Sequence, residues 1–218
     1  MKTNRFTTKE LTTLAMLTAI AYVLVCTVRI PVVLFLKYEP KDVVITIGGF
    51  LLGPMAALIS SLVVSLIEMV TISDTGPIGA IMNFLSTVSF SCLAAWIYRR
   101  RHTQKGAVAG LIVGSLVMTV LMLLWNYLIT PLYMGVSRED VAGMLIPAFL
   151  PFNLLKAGLN SAITLLLYKP LVTGLRKAGL VSPSASQRSG TSRNGVLIFA
   201  VILLATCILA VLAMRGII

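Results

Sequence analysis

Five stretches without a charged side chain, 11–28, 43–67, 75–98, 106–137 and 195–214, decide what this chain can become. Each reaches or approaches the ~20 apolar residues that an α-helix needs to cross a bilayer. A sixth, 141–168, is broken only by Lys156. Charged residues make up 11% of the chain, against about 25% in soluble domains. A membrane β-barrel would show short alternating segments, and none is present. The fold class is therefore all-α and polytopic. The first run is too long for a signal-peptide core, lacks a small-residue cleavage site and reads as a retained helix.

The net charge of +11 is distributed in a way that argues against nucleic acid. Lys2, Arg5 and Lys9 precede the first run, and "RRRHTQK" (99–105) follows the run that ends at Tyr98. Lys169, Arg176, Lys177, Arg188 and Arg193 follow the run that ends at Tyr168, so twelve of eighteen basic residues fall in three segments. If these share one side, they form the cytoplasmic bias of a multi-pass membrane protein with its N-terminus inside.

That rule also determines how 43–72 folds. A single span would put the N-terminus and "RRRHTQK" on opposite sides. A break at Gly53-Pro54, ordinary helix punctuation, restores the parity. The first piece, 43–52, is then only ~15 Å long and cannot span. Its end must meet backbone buried within protein or lining a cavity. The expected helices are 9–29, 43–52, 54–72, 77–98, 106–134, 146–170 and 195–214. Six of the seven acidic residues, Glu39, Asp42, Glu68, Asp74, Glu139 and Asp140, then lie at the end opposite the basic segments. Residues 1–175 form the membrane domain, 176–194 a Ser/Gly-rich cytoplasmic linker, and 195–218 an additional transmembrane helix. No sequence repeat is evident in the core.

A lysine at bilayer depth costs about 2.5–3.5 kcal/mol even on the lenient insertion scale. Asn153, Lys156 and Asn160 stand at i, i+3 and i+7, on one helical face. Two carboxamides and an ammonium suit a planar, carbonyl-rich ring; snorkelling to the interface is the alternative reading for the lysine. Three further polar clusters share the predicted depth: "FLKYEPKDV" (35–43), "TISDTGPIGAIMNF" (71–84) with Gly76, Gly79 and Asn83, and "LLWNYLITPLYMG" (123–135) with Asn126 and Tyr127. Singly, each suits helix packing or an interfacial aromatic belt; together they suggest a pocket. Glu68 reads as a solvated or paired carboxylate rather than a proton relay. Cys26, Cys92 and Cys207 lack CxxC spacing and read as small hydrophobes. His102, the only histidine, belongs to the basic loop.

"FLKYEPKDVVITIGGFLLGP", "GPIGAIMNF", "WNYLITPLYMG" and "FNLLKAGLNSAITLLLYKPL" together resemble the riboflavin-specific substrate-binding (S) component of energy-coupling-factor (ECF) vitamin transporters, over about 5–175. The resemblance implies a six-helix subunit that captures riboflavin from outside. It also implies a transmembrane coupling subunit and two ATPases as partners, with no resident cofactor and no catalysis in this chain. The substrate contacts it implies are Lys37, Tyr38, Glu39, Asp42, Thr46, Gly76, Gly79, Asn83, Asn126, Tyr127, Asn153, Lys156 and Asn160. Flavin mononucleotide (FMN) fits if its phosphate reaches Lys37 or Lys41. Ala15 and Ala19, four residues apart on the first helix, would form a flat stripe against the coupling subunit. The additional C-terminal helix departs from the family pattern.

No Walker A sequence is present, so ATP hydrolysis would reside elsewhere. The chain also lacks HExxH and GxSxG, which weighs against an intramembrane hydrolase. An S component for another planar vitamin, or an ion-coupled carrier using Glu68, are the rival readings.

Overall fold

A computed structural model describes residues 6–73, 75–180 and 193–214. Most of the expected linker lies outside these residues, as do Lys2, Arg5, Asp74 and Arg188. Eight α-helices form in chain order: α1 (Thr8–Thr27), α2 (Lys41–Leu52), α3 (Pro54–Thr71), α4 (Gly76–Arg101), α5 (Gln104–Met134), α6 (Arg138–Met144), α7 (Leu150–Lys177) and α8 (Arg193–Met214). Six helical stretches among the described residues are long and apolar enough to span a membrane. α2 is not one of them. Its 12 residues reach about 18 Å, and every residue from Lys41 to Phe50 is buried. Gly53, at φ 98°, ends it in a backbone conformation that favours glycine, and Pro54 opens α3.

α1 starts at a capping box, Thr7 with Glu10. It packs on α2 and α3 through Leu14, Leu17, Ala21 and Val25. Ala15 and Ala19 lie on its exposed side. α4 and α5 form a helical hairpin with a close seam. A Cβ on Gly110 would lie 2.7 Å from the Ala94 carbonyl oxygen, and one on Gly114 would lie 2.6 Å from that of Phe90. Only glycine lets these two backbones approach so closely.

Two features are absent from the sequence expectation. Residues 30–38, expected to connect the helices 9–29 and 43–52, form an antiparallel hairpin of β1 (Ile30–Val33) and β2 (Leu36–Tyr38). Its β-branched residues suit a pleated strand, and Leu34 turns it at φ 50°. The expected sixth helix is longer and compound. α6 runs into a π-helical turn, Leu145–Phe149, and then into α7. α8 lies against α7, where Cys207 is packed over Gly158, and Val211 and Met214 reach the cluster around Val32 and Leu36 of the hairpin.

Candidate functional site

α7 carries Asn153, Lys156 and Asn160 into the bundle at the end opposite the basic segments. The lysine does not snorkel: Lys156 is 6% exposed. Its ammonium lies 3.4 Å from Asp42 Oδ2, in the first turn of α2, and donates to Ser86 Oγ of α4 at 3.3 Å. Asp42, 1% exposed, also accepts from Thr87 Oγ1 at 2.7 Å and from Asn160 Nδ2 at 3.1 Å. Thr46 Oγ1 donates to the Asp42 carbonyl, and Tyr38 Oη donates to Asn160 Oδ1. A buried charge is tolerable when it is paired, and this lysine is paired with Asp42.

The neighbouring residue makes a second ion pair on the opposite wall. Lys41 Nζ meets both oxygens of Glu68 on α3 at 2.6 Å and Glu39 Oε2 at 3.2 Å. Asn83 Nδ2 of α4 donates to Glu68 at 3.0 Å. Arg29 ties the foot of the hairpin down, donating through Nε to Glu39 at 2.9 Å and through Nη1 to the Ile72 carbonyl at 3.0 Å. Burial opposes the charge on Glu39. The cations Lys41, Lys156 and Arg29 outweigh it and hold the carboxyl below its usual range.

Above this charged layer is a cavity of about 300 Å³. Phe35, Leu36, Met82, Met122 and Phe152 supply apolar wall; Asn83, Ser86, Asn126, Asn153 and Lys156 supply polar groups. Lys37, Glu39, Glu68, Arg29, Ser73, Thr75 and Gly79 complete the lining. Asn126 is held by its own helix, donating to the Met122 carbonyl at 2.7 Å and accepting from Thr130 Oγ1 at 2.9 Å. Asn153 Nδ2 donates to the carbonyl of Phe149, at the end of the π-helical turn, so that distortion helps set its position. Apolar walls with a few fixed polar groups are the usual composition of a small-molecule site.

Seven of the thirteen residues expected to contact substrate line the cavity: Lys37, Glu39, Gly79, Asn83, Asn126, Asn153 and Lys156. Tyr38, Asp42, Thr46 and Asn160 form the supporting layer instead. Gly76 does not line the cavity; at φ 55° it opens α4, while Thr75 and Gly79 reach the wall. Tyr127 does not line it either. It stands about 100° around α5 from the inward Asn126 and is 38% exposed. The expectation that Lys41 could meet a ligand phosphate is corrected: it is 1% exposed and engaged by two carboxylates. Glu68 is paired, as its sequence context suggested.

Sequence reasoning passed over Arg29, Ser86 and the apolar lining. Ser86 had a readable signal, since Gly79, Asn83 and Ser86 stand at i, i+4 and i+7 on one face of α4. The apolar residues had none. Among the described residues, no group of three or more His, Cys, Asp or Glu could hold a metal ion.

The family model of the substrate-specific component of ECF transporters matches residues 9–168. The chain belongs to this family. α8 lies beyond the matched residues. The S component is 32% identical to riboflavin transporter RibU of Staphylococcus aureus, covering 81% of this chain and 97% of the relative. It is 26% identical to riboflavin transporter FmnP of Bacillus subtilis, covering 78% and 97%. A solved S component of a bacterial ECF transporter superposes with a TM-score of 0.66 at 33% identity, over 77% of this chain and 98% of that one. These relatives are transporter components, and the S component here is a transport protein rather than an enzyme.

Proposed function

We propose that this S component binds riboflavin with high affinity on the outer side of a prokaryotic plasma membrane and delivers it inward with a transmembrane coupling subunit and two ATPases. The observation that carries the reading is the cavity over the Lys156–Asp42 pair, with carboxamides at Asn126 and Asn153 and aromatic rings at Phe35 and Phe152. An ammonium has three donors. Ser86 and Asp42 take two, leaving one for a ligand oxygen. The curated relatives named as riboflavin transporters support the choice of vitamin. The basic segments support a cytoplasmic N-terminus and α4–α5 turn, with the cavity opening outward. Ala15 and Ala19, exposed on α1, leave a flat stripe for the coupling subunit.

FMN is the harder ligand for this site. Glu39 and Glu68 both line the cavity, and Lys41 is committed to them. Lys37, at the hairpin, also lines the cavity.

The deciding experiment is titration of riboflavin into the purified, ligand-stripped protein in detergent, read by quenching of flavin fluorescence. One-to-one quenching that is weakened in Lys156→Met, with thermal unfolding confirming a folded variant, supports the reading. A folded wild-type protein that quenches nothing rejects riboflavin. Binding of another planar vitamin in the same sample would reassign the substrate and keep the S-component role.

A further inference from the structure

A second cavity, about 470 Å³, lies at the basic end of the bundle between the ends of α4, α5, α7 and α8. It shares no residue with the flavin site. Ala107, Leu165, Leu166, Val196 and Leu197 make its walls apolar, and the last two come from α8, outside the matched family residues. Lys169, Thr173 and Lys177 stand at i, i+4 and i+8, one polar stripe of α7 along the same cavity. Both lysines are exposed, and no carboxylate is among the lining residues. Gly174 faces open space, since a Cβ built on it meets nothing within 4 Å. Leu197 and Ile198 are exposed beside this opening, on the apolar helix α8.

We propose that this groove holds one anionic phospholipid of the cytoplasmic leaflet. The phosphate would sit against Lys169 and Lys177, and an acyl chain would lie along the seam between α7 and α8. Charge complementarity selects the occupant: two ammonium groups without a carboxylate partner in the lining call for an anion, and the apolar walls call for a hydrocarbon tail. A soluble phosphate would satisfy the lysines and leave Leu165, Leu166 and Leu197 uncovered. The added helix thereby gains a role, as the wall that turns an open α7 surface into a lipid groove.

The test is native mass spectrometry of the delipidated full-length protein, titrated with phosphatidylglycerol or with phosphatidylcholine of the same acyl chains. Phosphatidylglycerol is expected to be retained preferentially. Replacing Lys169 and Lys177 by glutamine should weaken it roughly fivefold per lysine, the strength of attraction of one basic residue to anionic lipid. Gly174→Phe, which places a ring in open space, should displace the same lipid while the thermal unfolding midpoint is unchanged. Equal retention of the two lipids, or phosphatidylglycerol binding unaltered in both variants, overturns the proposal. Competition by glycerol phosphate as effective as by the intact lipid overturns it in favour of a soluble anion. Phosphatidylglycerol binding that appears only after 181–192 is deleted from the otherwise unaltered protein would make the linker the occupant, and overturns it too.

Discussion

The two ends of this bundle handle charge in opposite ways. At the flavin end Arg29, Lys41 and Lys156 face Glu39, Asp42 and Glu68 across distances of 2.6–3.4 Å, nearly all of it buried. At the other end Arg99, Arg100, Arg101, Lys105, Lys169 and Lys177 are exposed, and among the described residues no carboxylate pairs with them. The first arrangement fixes geometry; the second supplies a field. A buried ion pair adds little net stability relative to apolar packing, yet breaking one is expensive, so it serves to hold walls in register. Exposed lysines hold nothing in place and are free to orient the chain in its membrane and to attract anions.

Removing one buried partner should therefore have the largest effect. Asp42→Ala leaves Lys156 with only Ser86 and should cost about 3–5 kcal/mol, read as a lowered unfolding midpoint in detergent. The double variant Asp42→Asn with Lys156→Met removes both charges and should recover most of that loss. If it does not, the pair is stabilising in its own right and the contrast between the ends is overstated. The same double variant should bind riboflavin about tenfold to a hundredfold more weakly, because a hydrogen bond from a charged donor is worth about 1.5–3 kcal/mol. Unchanged affinity in the flavin titration would remove Lys156 from the list of ligand contacts. Gly114→Leu drives a side chain into the Phe90 backbone and should destabilise by about 1–3 kcal/mol without selectively altering flavin binding.

Acid should act on the flavin end first. Glu39 has its carboxyl held below the ordinary value of 4.5, so its stabilising contribution is complete above that pH and is lost as the pH falls through the lower folded value. Flavin affinity measured through this window should drop on acidification, and the drop should shrink in Glu39→Gln. At the basic end Lys105→Gln should change the unfolding free energy by less than about 0.5 kcal/mol, as for surface substitutions generally. A large shift there would mean that the basic end also carries structural pairing.

Much of this was legible because the bilayer leaves few options. Charge parity and the Gly53-Pro54 break revealed a helix too short to span, and α2 begins two residues from the expected start. The spacing of Asn153, Lys156 and Asn160 located one wall. Partners were not legible. Nothing local to Lys41 or Glu68 announces an ion pair across 27 positions, and Lys41 beside Pro40 reads as a solvated loop residue. The hairpin was hidden because "IPVVLF" continues the apolarity of α1 and offers little alternation to distinguish strand from helix. The π-helical turn has no sequence signature of its own. Asn160 shares a face with Lys156, yet it lies a turn deeper and grips Asp42; periodicity fixes direction around a helix and leaves depth open.

Adjacency in the chain has a mechanical consequence at the start of α2. Lys41 and Asp42 are consecutive, and they are pinned to opposite walls, one to Glu68 on α3 and the other to Lys156 on α7. The first turn of α2 is thus a yoke between two membrane-spanning helices. Parting those helices sideways would tear a carboxylate from an ammonium inside protein, on both flanks at once. The β-hairpin is tied at its foot by Arg29 and Glu39 and to α7 by the neutral hydrogen bond from Tyr38 to Asn160. The side walls of the cavity beside the yoke are therefore held at a spacing set by two buried ion pairs.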